Sequence, residues 1–384
     1  MFIDRRVMRS VTIASAFAIA SMVTATFVRA EVGVSPSTIT LGMSAPFTGP
    51  NGAYGIEMRE AISAYLARVN EAGGVNGRKL QLVAMDDGYE TVRTVANTRA
   101  LLDEHKVFAL VGYYGSSPTT EAMKVFSAAK TPLVGTISGA DSLRNPAERY
   151  MFNVRASYAD ETEAIVNQLV ALKMTRIAVF YQNDGFGQSG LSGVTAALKT
   201  HGLEPAAAVS VERNSLDVTN AVQTIAKASP QAVVMVTLYK PTAEFVRKLH
   251  QAGQYPQLTT LSPVGADMLV TELGKEARGI VVSQVMPYPR DDAVPAAREY
   301  RRLMATEGNH KVSYYGIEGF ITAKVLVEAI RRAGKDLTRE KLVGVLDATD
   351  VDVGGYRVAY APQSRGGSKF VDLTIIGGGG KIVR

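Results

Sequence analysis

From residue 38 onward, short β-rich apolar runs alternate with amphipathic helical stretches. This alternation restricts the chain to an α/β architecture, because each strand must pair in parallel with the next across a covering helix. The first set reads as strands at 38–43, 79–85, 107–111 and 132–137, with helices at 54–71, 90–104 and 119–129. Runs such as 107–111 are apolar without interruption, which fits strands covered on both faces. The pattern restarts near Arg149, with strands at 149–154, 176–181, 206–211, 232–236, 258–261 and 279–284 and helices at 160–172, 189–201, 217–227 and 241–253. Two lobes are therefore expected, which a length of 384 residues accommodates. The tail reads as helices at 293–306, 314–333 and 338–346, then β-rich runs at 356–360 and 370–376, with Gly377 to Gly380 as a turn. Its strands are too few for a third domain. It is expected to complete the earlier lobes, so that the chain crosses between them more than once and leaves a hinge and a cleft.

Residues 1–30 differ from the rest. Arg5, Arg6 and Arg9 precede an apolar stretch at 11–27 rich in Ala, Ser and Thr, and Val28-Arg29-Ala30 has the small residues of a cleavage site. A signal peptide over 1–30 is expected, with Glu31 first in the mature protein. A membrane anchor would need about 20 apolar residues, which this stretch reaches only if its Ser and Thr are counted. Arg5-Arg6 lacks the flanks of a twin-arginine signal. Cleavage matters for the charge. The segment carries four Arg and one Asp, so a full-chain balance of +6 falls to about +3. No Lys/Arg cluster remains to point to a nucleic acid. The chain has no cysteine, which excludes disulfides, thiolate metal sites and a lipidated N-terminal cysteine. A protein free in the periplasm is expected.

Several motifs invite an enzymatic reading. Gly185-Phe186-Gly187-Gln188-Ser189-Gly190 is a G-x-G-x-x-G after a strand, with Glu212 a further 22 residues on as a candidate ribose partner. Against a dinucleotide site stand Asp184, a negative charge where phosphate would sit, and the internal position of the unit. A polar loop with glycines for tight turns is the simpler reading. Gly377 to Gly380 before Lys381 lacks the Ser/Thr and the helix of a phosphate loop. The four histidines are scattered near helix ends without a metal-binding spacing, and no G-x-S-x-G elbow occurs. Asp86-Asp87 reads as a solvated loop start capping the next helix. No catalytic residue, metal or cofactor is expected.

Binding is better supported. In parallel α/β sheets ligands sit beyond the carboxyl ends of strands. There the first lobe places Tyr54, then Gly112-Tyr113-Tyr114-Gly115-Ser116-Ser117 and Ser138-Gly139-Ala140-Asp141, while the second offers Tyr158, Phe186 and Tyr239. Serine hydroxyls with helix N-terminal N–H groups suit an anion such as a carboxylate. Aromatic rings give an apolar wall with a polar edge. The plainer role for Ser116-Ser117, capping a helix near Thr119, is compatible with this.

These residues in this order resemble the periplasmic solute-binding proteins of ABC importers, in the branched-chain amino-acid (Leu/Ile/Val-binding) group. The resemblance covers about residues 36–384 and rests on the stretches at 39–90, "GYYGSSPTTEAM", "NVRASYADE", "YQNDGFGQSGL" and "YYGIEGFITAKVLVEAI". It implies a type I binding-protein fold whose two lobes, each a parallel sheet flanked by helices, join through a three-segment hinge and close on ligand. The lobes would be 31–153 with about 283–350, and 154–282 with about 351–384. It implies that Ser116, Ser117, Ser138, Gly139 and Ala140 hold a ligand carboxylate, with Tyr54, Phe186 and Tyr239 as aromatic contacts and Tyr158 facing the cleft. Phe186 stands where relatives place a Tyr. Amino-acid binders carry an acid on the loop after the strand near Leu261; this chain has Ser262-Pro263-Val264-Gly265-Ala266, with Asp267 later. A desolvated ammonium without a carboxylate would be costly, so Val264 points also to an aliphatic or aromatic carboxylate. The expected partners are the small ligand and ABC permease subunits, the expected state a monomer. A sensory module for a receptor is the alternative role.

Overall fold

A computed structural model describes residues 31–306 and 311–384; the expected signal peptide, residues 1–30, lies outside the described residues. The first sheet contains β1 (Thr38–Ala45), β2 (Lys79–Asp86), β3 (Ala109–Tyr114), β4 (Leu133–Ile137) and β5 (Met151–Phe152), parallel in the order β2-β1-β3-β4-β5. β3 and β4 are buried along their whole length, as their unbroken apolar runs require. Helices α1 (Gly52–Glu71), α2 (Thr91–Asp103) and α3 (Ser116–Ala128) connect these strands. α1 buries Tyr54, Met58, Ala61, Ile62 and Leu66, residues three or four apart on one face.

The second sheet starts after α4 (Tyr158–Ala171). It takes β6 (Ile177–Gln182), β7 (Ala207–Val211), β8 (Ala232–Val236), β9 (Gln257–Thr260) and β10 (Val281–Gln284), connected by α5 (Gly185–Thr200), α6 (Thr219–Ala228), α7 (Tyr239–Gln251) and α8 (Ala266–Leu273). The chain then returns. α9 (Pro295–Thr306), α10 (Tyr314–Ala333) and α11 (Arg339–Asp347) cover the first lobe. Gly319 of α10 lies so close to α1 that a Cβ there would stand 2.6 Å from the Met58 carbonyl oxygen. α11 is tied down by Arg339, whose guanidinium donates to the carbonyls of Val107, Phe108 and Ala129. β11 (Asp350–Asp352), β12 (Arg357–Ala361) and β13 (Ser364–Gly367) form an antiparallel sheet of their own. Finally β14 (Asp372–Ile376) pairs antiparallel with β10, and β15 (Ile382–Val383) with β14, giving the order β15-β14-β10-β9-β8-β6-β7.

Three connections, after β5, β10 and β13, thus link the two α/β lobes. They are bound to one another: the Tyr356 hydroxyl donates to both Val154 O (3.1 Å) and Val285 O (2.9 Å), and Ser368 N–H to Val154 O (3.1 Å).

Three expectations need correction. α3 starts at Ser116, not near Thr119, because Gly115 makes the turn with φ of 90° and no side chain caps the helix. The Gly185–Gly190 motif is not a loop but the first turns of α5, capped by Asp184 through Phe186 and Gly187 N–H. Asp86 and Asp87 are not a solvated start. Asp87 is fully buried, accepting from Ser44 Oγ, Thr94 Oγ1 and Tyr89 N–H, and Asp86 holds the 47–48 loop.

Candidate ligand-binding site

Beyond β3 and β4 two serines meet. Ser116 Oγ lies 2.8 Å from Ser138 Oγ, and Ala140 N–H donates to Ser138 Oγ at 3.1 Å. Both serines are buried. Gly115 is indispensable to this geometry: besides its positive φ, a Cβ would stand 2.6 Å from the Tyr89 ring. Gly139 is equally confined, its carbonyl accepting the Tyr158 N–H at 2.8 Å with no room for a Cβ against that ring. The Tyr158 hydroxyl faces the Ser116 hydroxyl and the Gly139 amide. An oxygen is thus already ringed by donors beside the N-terminus of a 13-residue helix, the arrangement a carboxylate oxygen needs. Ser117 is used differently: its hydroxyl accepts the Gly185 N–H of the other lobe at 3.0 Å.

An aromatic box adjoins this clamp. Tyr54 stacks on Tyr114 (centroids 5.2 Å apart, 16° between planes) and meets Tyr315 and Tyr239 edge-on at 4.8 and 5.9 Å. Tyr89 stands edge-on to Tyr114 at 5.3 Å, and Phe186 packs on Tyr158 at 5.2 Å. The box spans both lobes. Tyr54 Oη donates to Val264 O, Tyr315 Oη to Pro263 O and Tyr239 Oη to Pro50 O, each at 2.9 Å. Gln182 Nε2 donates to Tyr89 Oη at 3.2 Å. Burial raises the phenol pKa of Tyr54, Tyr89, Tyr114, Tyr158 and Tyr315, so these hydroxyls stay neutral. Among the described residues the buried Tyr114 hydroxyl has no hydrogen-bond partner.

Two of these rings, Tyr89 and Tyr315, escaped the sequence reading as site residues, whereas Tyr114 stood in the strand-end stretch at 112–117. Strand alternation decides between it and its neighbour. Tyr113 and Tyr114 must face opposite sides of β3; Tyr113 reaches Thr98 at 3.0 Å, which leaves Tyr114 for Tyr54.

Behind the box lies a buried ionic group. Arg155, 1% exposed, bonds the Ser262 hydroxyl and pairs with Glu161 (3.5 Å) and Glu318 (3.7 Å). Glu161 also accepts from Ser262 N–H (2.9 Å), Ser262 Oγ (3.0 Å) and Ser283 Oγ (2.6 Å). Burial pushes the Glu318 carboxyl up to about 7 against the pull of Arg155. Arg155 Nε and Nη1 have no hydrogen-bond partner among the described residues. A cavity of only about 10 Å³ lies here, lined by Arg155, Ser262, Gln284, Tyr315 and Glu318. Asp267 is exposed in the first turn of α8 and, with Glu57, borders a neighbouring cavity.

The chain matches the sequence model of the periplasmic binding protein family over residues 38–369. It is 28% identical to an amino acid binding protein of Pseudomonas aeruginosa over 242 residues, 62% of this chain and 63% of that relative, less than two thirds of its length. Two crystal structures resemble it over nearly their whole length. One is a possible leucine/isoleucine/valine-binding protein from Rhodopirellula baltica SH 1 (32% identity, TM-score 0.86, covering 91% of this chain and 96% of that one). The other is a substrate-binding periplasmic protein from Ralstonia solanacearum (34%, 0.85, 90% and 99%). This is a family of solute binders that catalyse nothing, and the dinucleotide enzyme falls away: this chain belongs to the periplasmic binding protein family, of the Leu/Ile/Val-binding kind.

Proposed function

We propose that this protein traps a small carboxylate-bearing ligand between its lobes and delivers it to an ABC permease. The ligand is a hydrophobic amino acid or a related aliphatic or aromatic carboxylate. One observation carries the reading: the buried Ser116–Ser138–Gly139 clamp, at a helix N-terminus, faces an aromatic box built from both lobes. The clamp takes the carboxylate, Tyr54, Tyr158, Phe186 and Tyr239 enclose the apolar body, and Ser117 and Val264 close the lobes over it. Ala140 serves through its amide, which orients Ser138. We assign the lobes as residues 31–153 with about 283–350 and 154–282 with about 351–384, and the mature start as Glu31. The protein acts as a monomer in the periplasm.

A thermal-shift series on the mature protein tests this, using amino acids, aliphatic and aromatic carboxylates, and NAD(H). A carboxylate is expected to raise the unfolding midpoint in a concentration-dependent way. A response to NAD(H) with none to any carboxylate would sink the reading.

A further inference from the structure

The clamp suits an anion, yet its groups are hydroxyls and amides, without a lysine or arginine among them. A cation holds the turn that carries it. Arg144 Nη1 donates to the carbonyls of Ser138 (3.3 Å) and Ala140 (3.1 Å), and Nη2 to those of Arg155 (3.0 Å) and Ala156 (3.3 Å) on the first connection between the lobes. All four partners are peptide oxygens, and among the described residues Arg144 has no carboxylate partner. Asp160, which lines the same cavity, accepts the Ser157 N–H at 2.9 Å in the capping box of α4. Arg155 differs: its charge is met by Glu161 at 3.5 Å and Glu318 at 3.7 Å.

A trans peptide carries its N–H opposite its C=O. The two clamp-turn carbonyls held by Arg144 therefore belong to the peptides whose N–H groups are those of Gly139 and Asp141. Asp141 N–H donates to Ser189 Oγ of the second lobe at 3.2 Å. Gly139 N–H has no backbone acceptor among the described residues, which leaves it to the clamp. Hydrogen bonds in series polarise one another, so a guanidinium on the Ser138 oxygen makes the Gly139 N–H a stronger donor. We infer that Arg144 is the positioning residue for the ligand carboxylate: through the Ser138–Gly139 peptide it gives a clamp of neutral groups its preference for negative charge. This inference rests on the carboxylate reading above and deepens it.

Calorimetric titration of the mature protein with acid–amide pairs tests it: leucine and leucinamide, 4-methylpentanoate and 4-methylpentanamide, 3-phenylpropanoate and 3-phenylpropanamide. In at least one pair the wild type is expected to favour the acid. Arg144→Met keeps the apolar stem and removes the charge; it is expected to weaken that acid roughly tenfold and the amide less than about twofold. Arg144→Lys restores the charge and is expected to recover most of the loss. Equal losses for acid and amide with no recovery in Arg144→Lys would make Arg144 a structural tie alone, overturning the inference while the carboxylate reading stands. Unchanged acid affinity in a folded Arg144→Met protein would do the same. Binding of none of the acids by the wild type would overturn both. Should Arg144→Met not fold, the guanidinium resonances of Arg144 in isotope-labelled wild-type protein, assigned through Arg144→Lys, decide the question: they are expected to shift on addition of the acid, and their staying in place would overturn the inference.

Discussion

Gly187 and Phe186 are neighbours with opposite tasks. A Cβ on Gly187 would stand 1.8 Å from the Gln182 carbonyl oxygen, so even a methyl group forces α5 away from β6. Gly187→Ala is expected to lower stability by about 1–3 kcal/mol, read by chemical denaturation, with affinity per folded molecule largely kept. Phe186 packs on Tyr158. Phe186→Ala is expected to weaken carboxylate binding about tenfold or more in addition to its cost in core packing; unchanged affinity would remove Phe186 from the site. Ser116 is the sharper test of the clamp. On the proposed carboxylate reading, Ser116→Ala deletes a hydrogen bond to a charged group, worth about 1.5–3 kcal/mol, and a loss of tenfold or more in affinity is expected by titration calorimetry.

The Arg155 group joins the start of α4, the loop before α8 and the second turn of α10, so its electrostatics act between elements. Glu318 ordinarily titrates at 4.5 and is raised to about 7 here. The folded chain therefore keeps a proton that the unfolded chain has released, and stability falls as pH rises from about 4.5 to about 7. Glu318→Gln is expected to flatten this limb when urea midpoints are measured against pH. Arg155→Met is expected to cost about 3–5 kcal/mol, because Glu161 would remain buried without its cation. The longer elements were readable in the sequence: helices α1 and α10 and strands β6 and β8 lie where their periodicity places them, while β3 runs Ala109–Tyr114 rather than over 107–111. β11, β13 and β15, of two to four residues at sheet edges, carry too little pattern to be seen. The clamp was readable because strand ends are local. Tyr315 and Glu318 were not, since their partners Tyr54 and Arg155 lie 261 and 163 residues away in sequence, a pairing only the fold creates.

Closure is held by polar contacts between the lobes outside the box. Ser189 Oγ accepts the Asp141 N–H at 3.2 Å, Asn214 Nδ2 donates to Glu90 at 2.9 Å, and Arg213 pairs with Glu90 at 3.6 Å. Such contacts exist only when the lobes meet, so they bias the open–closed equilibrium without touching ligand. Glu90→Ala removes two of them. It is expected to speed ligand release severalfold in stopped-flow measurements and to leave the midpoint of the ligand-free protein nearly unchanged. Small-angle scattering should show ligand-driven compaction, reduced in the variant at subsaturating ligand.

The antiparallel pairing of β14 with β10 also governs how the chain can be made. As it is synthesised, every strand of the first sheet is available by Phe152, but the edge of β10 stays uncovered until residues 372–376 arrive, some 90 residues after β10 itself. During that interval Val281–Gln284 offers unpaired backbone groups to any other nascent chain. A protein cut after Ser368 would keep the whole first sheet and the helices over it, yet expose that edge permanently. It is expected to self-associate in light scattering where the full chain does not.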